Sequence, residues 1–259
     1  MDVTGYLRRD YITNLVDEGN RIDGRKFDQY REISIEKNYV EGKPSGSAYI
    51  SLGGTRVLAG ISMVVGEPYP DTPDEGVMTT SVELRPIASP LFESGPPKED
   101  ATEIARVVDR GIRESGAIDT KKLVIDDEKV WIVFIDIHIL DDVGNLIDAS
   151  GIASITALLN AKIPKYEDGV VIRGEWSGKL PITCEPVPCT VVKIGDSLLL
   201  DPNMDEEYAM DCRLTVTTAD TINAMQKGGG GGVLTEKDID SAIDLAFSKG
   251  KEIRKLINA

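Results

Sequence analysis

Residues 45–66, SGSAYISLGGTRVLAGISMVVG, alternate apolar with small or polar side chains on both sides of a paired glycine step. A period of two sends successive side chains to opposite faces, so the segment reads as an antiparallel hairpin, with Gly53 and Gly54 supplying the positive φ angles of its turn. That makes the start of the fold strand-rich. Strand signals begin at Ile33, and a further strand fits Val77 to Leu84. Pro86, Pro90, Pro96 and Pro97 then mark a long loop. Glu99 to Ser115 follows with helical periodicity, placing Ala101, Ile104, Ala105, Val108 and Ile112 on one side. Val130 to Leu140 is a strand buried on at least one face, and Leu146 to Ala161 is a helix whose Ala, Ser and Gly side chains allow close packing on a sheet.

The second half repeats this plan. Pro188 to Ile194 pairs with Ser197 to Asp201 across Gly195-Asp196, and Cys212 to Ala219 and Thr221 to Met225 supply two more strands. Thr235 with Asp238 resembles a capping box that starts the last helix, with Ile239, Ile243, Ala246, Gly250, Ile253 and Ile257 as its buried stripe. The expected fold is α+β, a duplicated βαβα-type unit of two strand-rich then helical halves in a single compact domain. An N-terminal helix and arm span 1–30, with Tyr6, Leu7, Tyr11 and Leu15 at helical spacing; the first half spans 31–165 and the second 166–259. The junction falls near Ile163 to Asp168, where Pro164 interrupts the pattern.

Of 259 residues, 41% are apolar, enough for a substantial core, and the net charge is -15. Any nucleic-acid contact must therefore come from a local basic feature and not from the overall field. No apolar run approaches membrane-spanning length and no signal-peptide pattern is present, which leads us to expect a soluble, cytoplasmic protein without membrane contact. Cys184, Cys189 and Cys212 form no CxxC, and reduced, partly buried thiols are expected.

Chemistry has few places to reside. His138 is the single histidine, which argues against a Ser-His-Asp or multi-histidine metal site; lying between Ile137 and Ile139, it reads as a structural, hydrogen-bonded residue. The five glycines Gly228 to Gly232 lack the Lys-Ser/Thr of a P-loop and read as a flexible strand-to-helix connector. The segment Leu200 to Val216, LDPNMDEEYAMDCRLTV, packs Asp201, Asp205, Glu206, Glu207 and Asp211 between two strand-like runs. Such clustering suits a divalent-metal or acid/base site, but Arg213 at its edge works against both uses, and on spacing alone the segment reads first as an acidic, solvated surface loop. Arg106, Arg110 and Arg113 stand at i, i+4 and i+7, on one helix face away from the apolar stripe. They read either as ion-pair partners, Glu103 reaching Arg106 and Asp109 reaching Arg113, or as a fork of donors for phosphate oxygens of RNA or DNA.

Taken in order and spacing, RIDGRKFDQYREI, SGSAYISLGGTRVLAG, EIARVVDRGIRES, DDVGNLIDASGIASITALLNAKIP and LDPNMDEEYAMDCRLTV resemble the RNase PH family of phosphorolytic exoribonucleases over nearly the whole chain. Within that family the likeness is to the catalytically inactive RNase PH-like subunit of the archaeal exosome. The resemblance implies an RNase PH-like fold and a place in an alternating hetero-hexameric ring that degrades and processes single-stranded RNA from its 3′ end. It also implies a catalytic RNase PH-like partner and RNA-binding cap subunits.

It further implies where activity would reside. Active members hold the attacking phosphate with a Gly-Gly-Ser/Thr-Arg turn at a helix N-terminus. Here the corresponding turn reads Gly144, Asn145, Leu146, Ile147, with two apolar side chains in place of the hydroxyl and the guanidinium. An ungapped comparison places Arg213 at the position of the acid/base aspartate, and a guanidinium with a pKa above about 12 cannot exchange protons at neutral pH. The expectation is a chain with no catalytic residues, metal or cofactor of its own, inorganic phosphate being used at the partner's site. Arg106 and Arg110 fall where helix arginines of the family contact the RNA backbone, and Arg113 lies on the same face. The carboxylates would then be loop and interface residues or support near the partner's site.

Overall fold

The computed structural model describes residues 8–259. Tyr6 and Leu7 lie outside them. Helix α1 (Arg9–Asp17) buries Ile12 and Val16, with Tyr11 exposed and Leu15 half-buried, so the apolar face is turned one residue from the expected stripe.

Among the described residues a six-stranded sheet has the order β1 (Ile33–Lys37), β2 (Gly46–Leu52), β3 (Thr55–Gly66), β6 (Lys129–Asp141), β4 (Val77–Leu84), with the short β5 (Val124–Asp126) also on β6. All its pairings are antiparallel except β4 with β6. In the β2–β3 turn Gly53 alone has a positive φ, 57°. Gly54 is needed for space, since a Cβ there would lie 3.0 Å from Val143 Cγ2. Helix α2 (Glu99–Glu114) covers β4 with Ala101, Ile104, Val107, Val108 and Ile112 buried. Helix α3 (Leu146–Leu159) is buried from Ile147 through Leu158. A helix apolar on all sides belongs inside, and α3 fits between the first sheet and β9 (Val187–Ile194). The fit depends on Gly151, whose missing Cβ would stand 2.3 Å from Pro188 Cγ.

Between the halves the chain forms a two-stranded hairpin, β7 (Lys162–Glu167) with β8 (Val170–Lys179), where only an interruption was expected. Its largely exposed side chains supply no apolar period to read. The second sheet runs β10 (Ser197–Leu200), β9, β11 (Cys212–Thr218), β12 (Ile222–Gly228), all antiparallel. Between β10 and β11 stands helix α4 (Met204–Ala209), in the middle of the acidic segment expected to be a loop. Asn203 and Glu206 form its capping box. Helix α5 (Glu236–Asn258) starts on the Thr235–Asp238 capping box and buries Ala242, Ala246, Gly250, Ile253 and Ile257 on the second sheet.

One other expectation is corrected. The glycine run is a packed turn and not a loose connector: Gly230 has φ 30° and a Cβ there would be 2.0 Å from the Asp211 carbonyl oxygen. His138 lies on the outer face of β6, about half exposed, with Nδ1 3.4 Å from Glu83 Oε2. Cys184, Cys189 and Cys212 are free, the last two buried. No helix among the described residues is long and apolar enough to cross a membrane.

Candidate functional site

Strand β6 ends at Asp141, and the chain turns through Gly144 (φ 94°) and Asn145 (φ 56°) into α3. The turn is fixed from several directions. Thr55 Oγ1 and Arg31 Nη2 donate to the Gly144 carbonyl at 2.7 and 3.0 Å. Asn145 Nδ2 donates to Asp148 and Asp201 at 2.9 and 2.8 Å. The backbone N–H of Asn145, which with the helix dipole would favour an anion, donates to Glu207 Oε1 at 2.9 Å. A carboxylate of the chain's own thus occupies the helix end. Burial raises the Glu207 carboxyl to about 7; the Asn145 N–H opposes the shift, Asp142 adds to it, and Arg213 and Arg31 oppose it. Asp148, fully buried in the first turn of α3, is raised to about 6 by burial, against hydrogen bonds from Asn145, Thr190 and Tyr30.

Beside the turn lies an open cavity of about 620 Å³ whose lining includes Glu103, Asp142, Leu146, Ile147, Glu207 and Arg213. The side chains of Leu146 and Ile147 offer it no donor. Arg213 reaches it from β11, mostly buried, with Nη2 2.5 Å from Glu103 Oε1. The turn residues and Arg213, far apart in sequence, therefore share one cavity.

The carboxylate cluster is neither a solvated loop nor an open ligand set. Asp201, fully buried, takes Arg25 Nη1 at 2.9 Å and Arg31 Nη2 at 2.7 Å. Glu206, also fully buried, takes Arg21 Nε at 2.8 Å and Nη2 at 2.6 Å. At the surface Asp205 meets Arg8 at 3.3 Å and Asp211 meets Arg9 at 3.1 Å. The arginines of the N-terminal arm thus neutralise the cluster and tie the arm to α4. The sequence contains a signal for this, five arginines in residues 8–31 against five carboxylates in 201–211, but the pairing spans nearly the whole chain.

The three helix arginines are exposed but not equivalent. Arg113 is committed to both Asp109 oxygens, at 2.9 and 3.0 Å, and to the Met78 carbonyl at 2.9 Å. Arg110 donates to Gln226 Oε1 at 3.1 Å. Arg106 has no side-chain hydrogen bond or ion pair among the described residues, and the Glu103 expected to pair with it is held by Arg213. Arg106 and Arg110 line two grooves on the flanks of α2. The groove of about 560 Å³ also includes Arg113, and the other, about 680 Å³, includes Gln226 and Lys227.

A mixed sheet and an antiparallel sheet clasp one buried helix, and the turn at that helix's N-terminus borders the cavity that Arg213 also lines. The model for domain 1 of the 3′ exoribonuclease family, RNase PH, matches residues 29–164, and that for domain 2 matches residues 184–249; the chain belongs to the RNase PH family. It is 52% identical to the exosome complex component Rrp42 of Thermococcus gammatolerans over 99% of this chain and 96% of that protein. To the same component of Pyrococcus horikoshii it is 53% identical over 99% of this chain and 95% of that one. Among solved structures, a chain of the Archaeoglobus fulgidus exosome with RNA bound to the active site is 46% identical, with a TM-score of 0.91 over 98% of this chain and 99% of that one.

Proposed function

We propose that this chain is a non-catalytic subunit of an archaeal-exosome-type ring, one that completes the catalytic partner's site and positions single-stranded RNA there for 3′ to 5′ phosphorolysis. The observation that carries the reading is the helix end at Asn145, where Glu207 takes the backbone N–H, the side chains of Leu146 and Ile147 offer no donor, and the nearby Arg213 is an ion-pair partner of Glu103. A phosphate arriving here would meet carboxylates and no guanidinium free to share its charge. Chemistry then falls to an RNase PH-like partner alternating with this chain in a hetero-hexameric ring, which uses inorganic phosphate at its own site, with RNA-binding cap subunits at the ring's mouth. The similarity to exosome components over nearly their whole length supports that assignment.

In this reading Arg106 and Arg110 clamp backbone phosphates near the RNA 3′ end, with Arg113 holding the helix to β4 through Met78. Clamping is a positioning contribution, and a displacement of about 1 Å can cost on the order of a hundredfold in rate. Local arginines on a confined path also explain how a chain of net charge -15 handles a polyanion. The test incubates the purified chain with RNA and inorganic phosphate, with and without magnesium, alone and with its RNase PH-like partner. No nucleoside diphosphate should appear until the partner is added, and release by the chain alone overturns the reading.

A further inference from the structure

We propose that Arg213 is a positioning residue for RNA binding: it holds Glu103 away from Arg106 and so leaves the Arg106 guanidinium free for a phosphate of the RNA backbone. The proposal rests on the RNA-facing reading of α2 above. Glu103 precedes Arg106 by three residues, a spacing at which opposite charges on a helix normally meet. They do not meet here because Glu103 Oε1 lies 2.5 Å from Arg213 Nη2.

The site is shaped for this pair. Arg213 on β11 faces Gly228 on β12, and a Cβ at Gly228 would lie 3.0 Å from Arg213 Nε and 3.1 Å from Glu103 Oε1. The ion pair packs tightly over the open face of Gly228, where a Cβ would press on both side chains. A planar guanidinium can lie flat against that backbone and an ammonium cannot.

Beyond the pair, the groove between α2 and the end of β12 presents Arg106, Arg110 and Lys227. Arg110 is braced by the neutral amide of Gln226, which orients it without cancelling its charge. Glu99 and Glu103 also reach this groove, and Glu103 is the one a single turn from Arg106. A carboxylate released there would neutralise Arg106 and repel phosphate, so the Arg213 contact sets how many cations the groove offers to single-stranded RNA.

The experiment measures binding of the full-length chain to a fluorescent oligoribonucleotide across a salt series. The slope of log affinity against log salt falls by about 0.7 for each phosphate of a single strand that the protein ceases to neutralise. Arg106→Gln should lower the slope by that amount. Arg213→Gln should lower it equally although Arg213 faces the other cavity, and Glu103→Gln added to Arg213→Gln should restore it. Arg213→Lys, which keeps the charge if Gln impairs folding, should fall between wild type and Arg213→Gln. An unchanged slope in Arg106→Gln overturns the RNA-facing reading itself. A lowered slope in Arg106→Gln with none in Arg213→Gln, or a decrease in Arg213→Gln that Glu103→Gln does not restore, overturns this inference alone.

Discussion

The backbone N–H of Asn145 donates to Oε1 of Glu207 at 2.9 Å, so the N-terminus of the most buried helix carries an anion supplied by the chain itself. The raised carboxyl of Glu207 gives this contact a pH signature. Its native pKa of about 7 lies above the ordinary 4.5, so the native state binds more protons than the unfolded state between those values. Stability attributable to Glu207 is therefore highest below pH 4.5, declines as pH rises through the window, and is level beyond it. Glu207→Gln removes the titration and keeps an acceptor for the Asn145 N–H. The melting temperature of the variant relative to wild type should rise between pH 5 and about 7, equivalent to about 1–3 kcal/mol, and then flatten. A difference constant with pH would show that Glu207 does not titrate in this range.

The arm and the acidic segment are coupled at two depths, and the depths predict different costs. Asp201 is the counter-charge of both Arg25 and Arg31, which are nearly buried. Asp201→Ala strands the Arg31 guanidinium and leaves Arg25 with Asp23 as its near counter-charge, and chemical denaturation should report a loss of about 3–5 kcal/mol. The Arg8–Asp205 pair is exposed, and Arg8→Ala should cost at most about 1 kcal/mol, less as salt is added. Equal losses at the two sites would contradict the burial difference.

The legible parts of this fold were those with a local period. The hairpin across Gly53, the strand Val77–Leu84 and helix α2 came directly from spacings of two and of three to four. Helix α4 was hidden because its acidic composition suggested a site or a solvated loop, although Asn203 followed by Glu206 is a local capping signature. That the Leu146 and Ile147 side chains carry no donor could be read from side-chain chemistry alone. Its counterpart, the Glu207 carboxylate on the same helix end, could not, because it arrives from 62 residues away. The same holds for Glu103, which local spacing pairs with Arg106 and the fold gives to Arg213.

The glycine run offers a contrast between neighbours. Gly230 has φ 30° and no room for a Cβ against Asp211, whereas Gly231 has nothing within 4 Å and no such backbone constraint. Gly230→Ala should destabilise the chain by about 1–3 kcal/mol, while Gly231→Ala should be neutral or slightly stabilising through the unfolded chain. Thermal unfolding of the two variants side by side decides the matter, and similar behaviour would mean that the run is a loose connector after all.

Restoring an acid at position 213 should not restore phosphorolysis. Arg213→Asp would supply a proton carrier to the cavity, but the side chains of Leu146 and Ile147 still could not hold phosphate and Glu207 would still occupy the Asn145 N–H. The new carboxylate would also join Glu103, Asp142 and Glu207 on one cavity wall, where like charges repel and raise one another's pKa. The expected outcome is a less stable chain that releases no nucleoside diphosphate from RNA and phosphate when assayed alone. Adding Leu146→Ser, Ile147→Arg and Glu207→Ala would rebuild the hydroxyl and guanidinium of an anion turn and vacate the helix end. Phosphate binding to that quadruple variant, read by calorimetry, should then exceed binding to Arg213→Asp. Turnover by Arg213→Asp alone would mean that the turn was never what silenced the site.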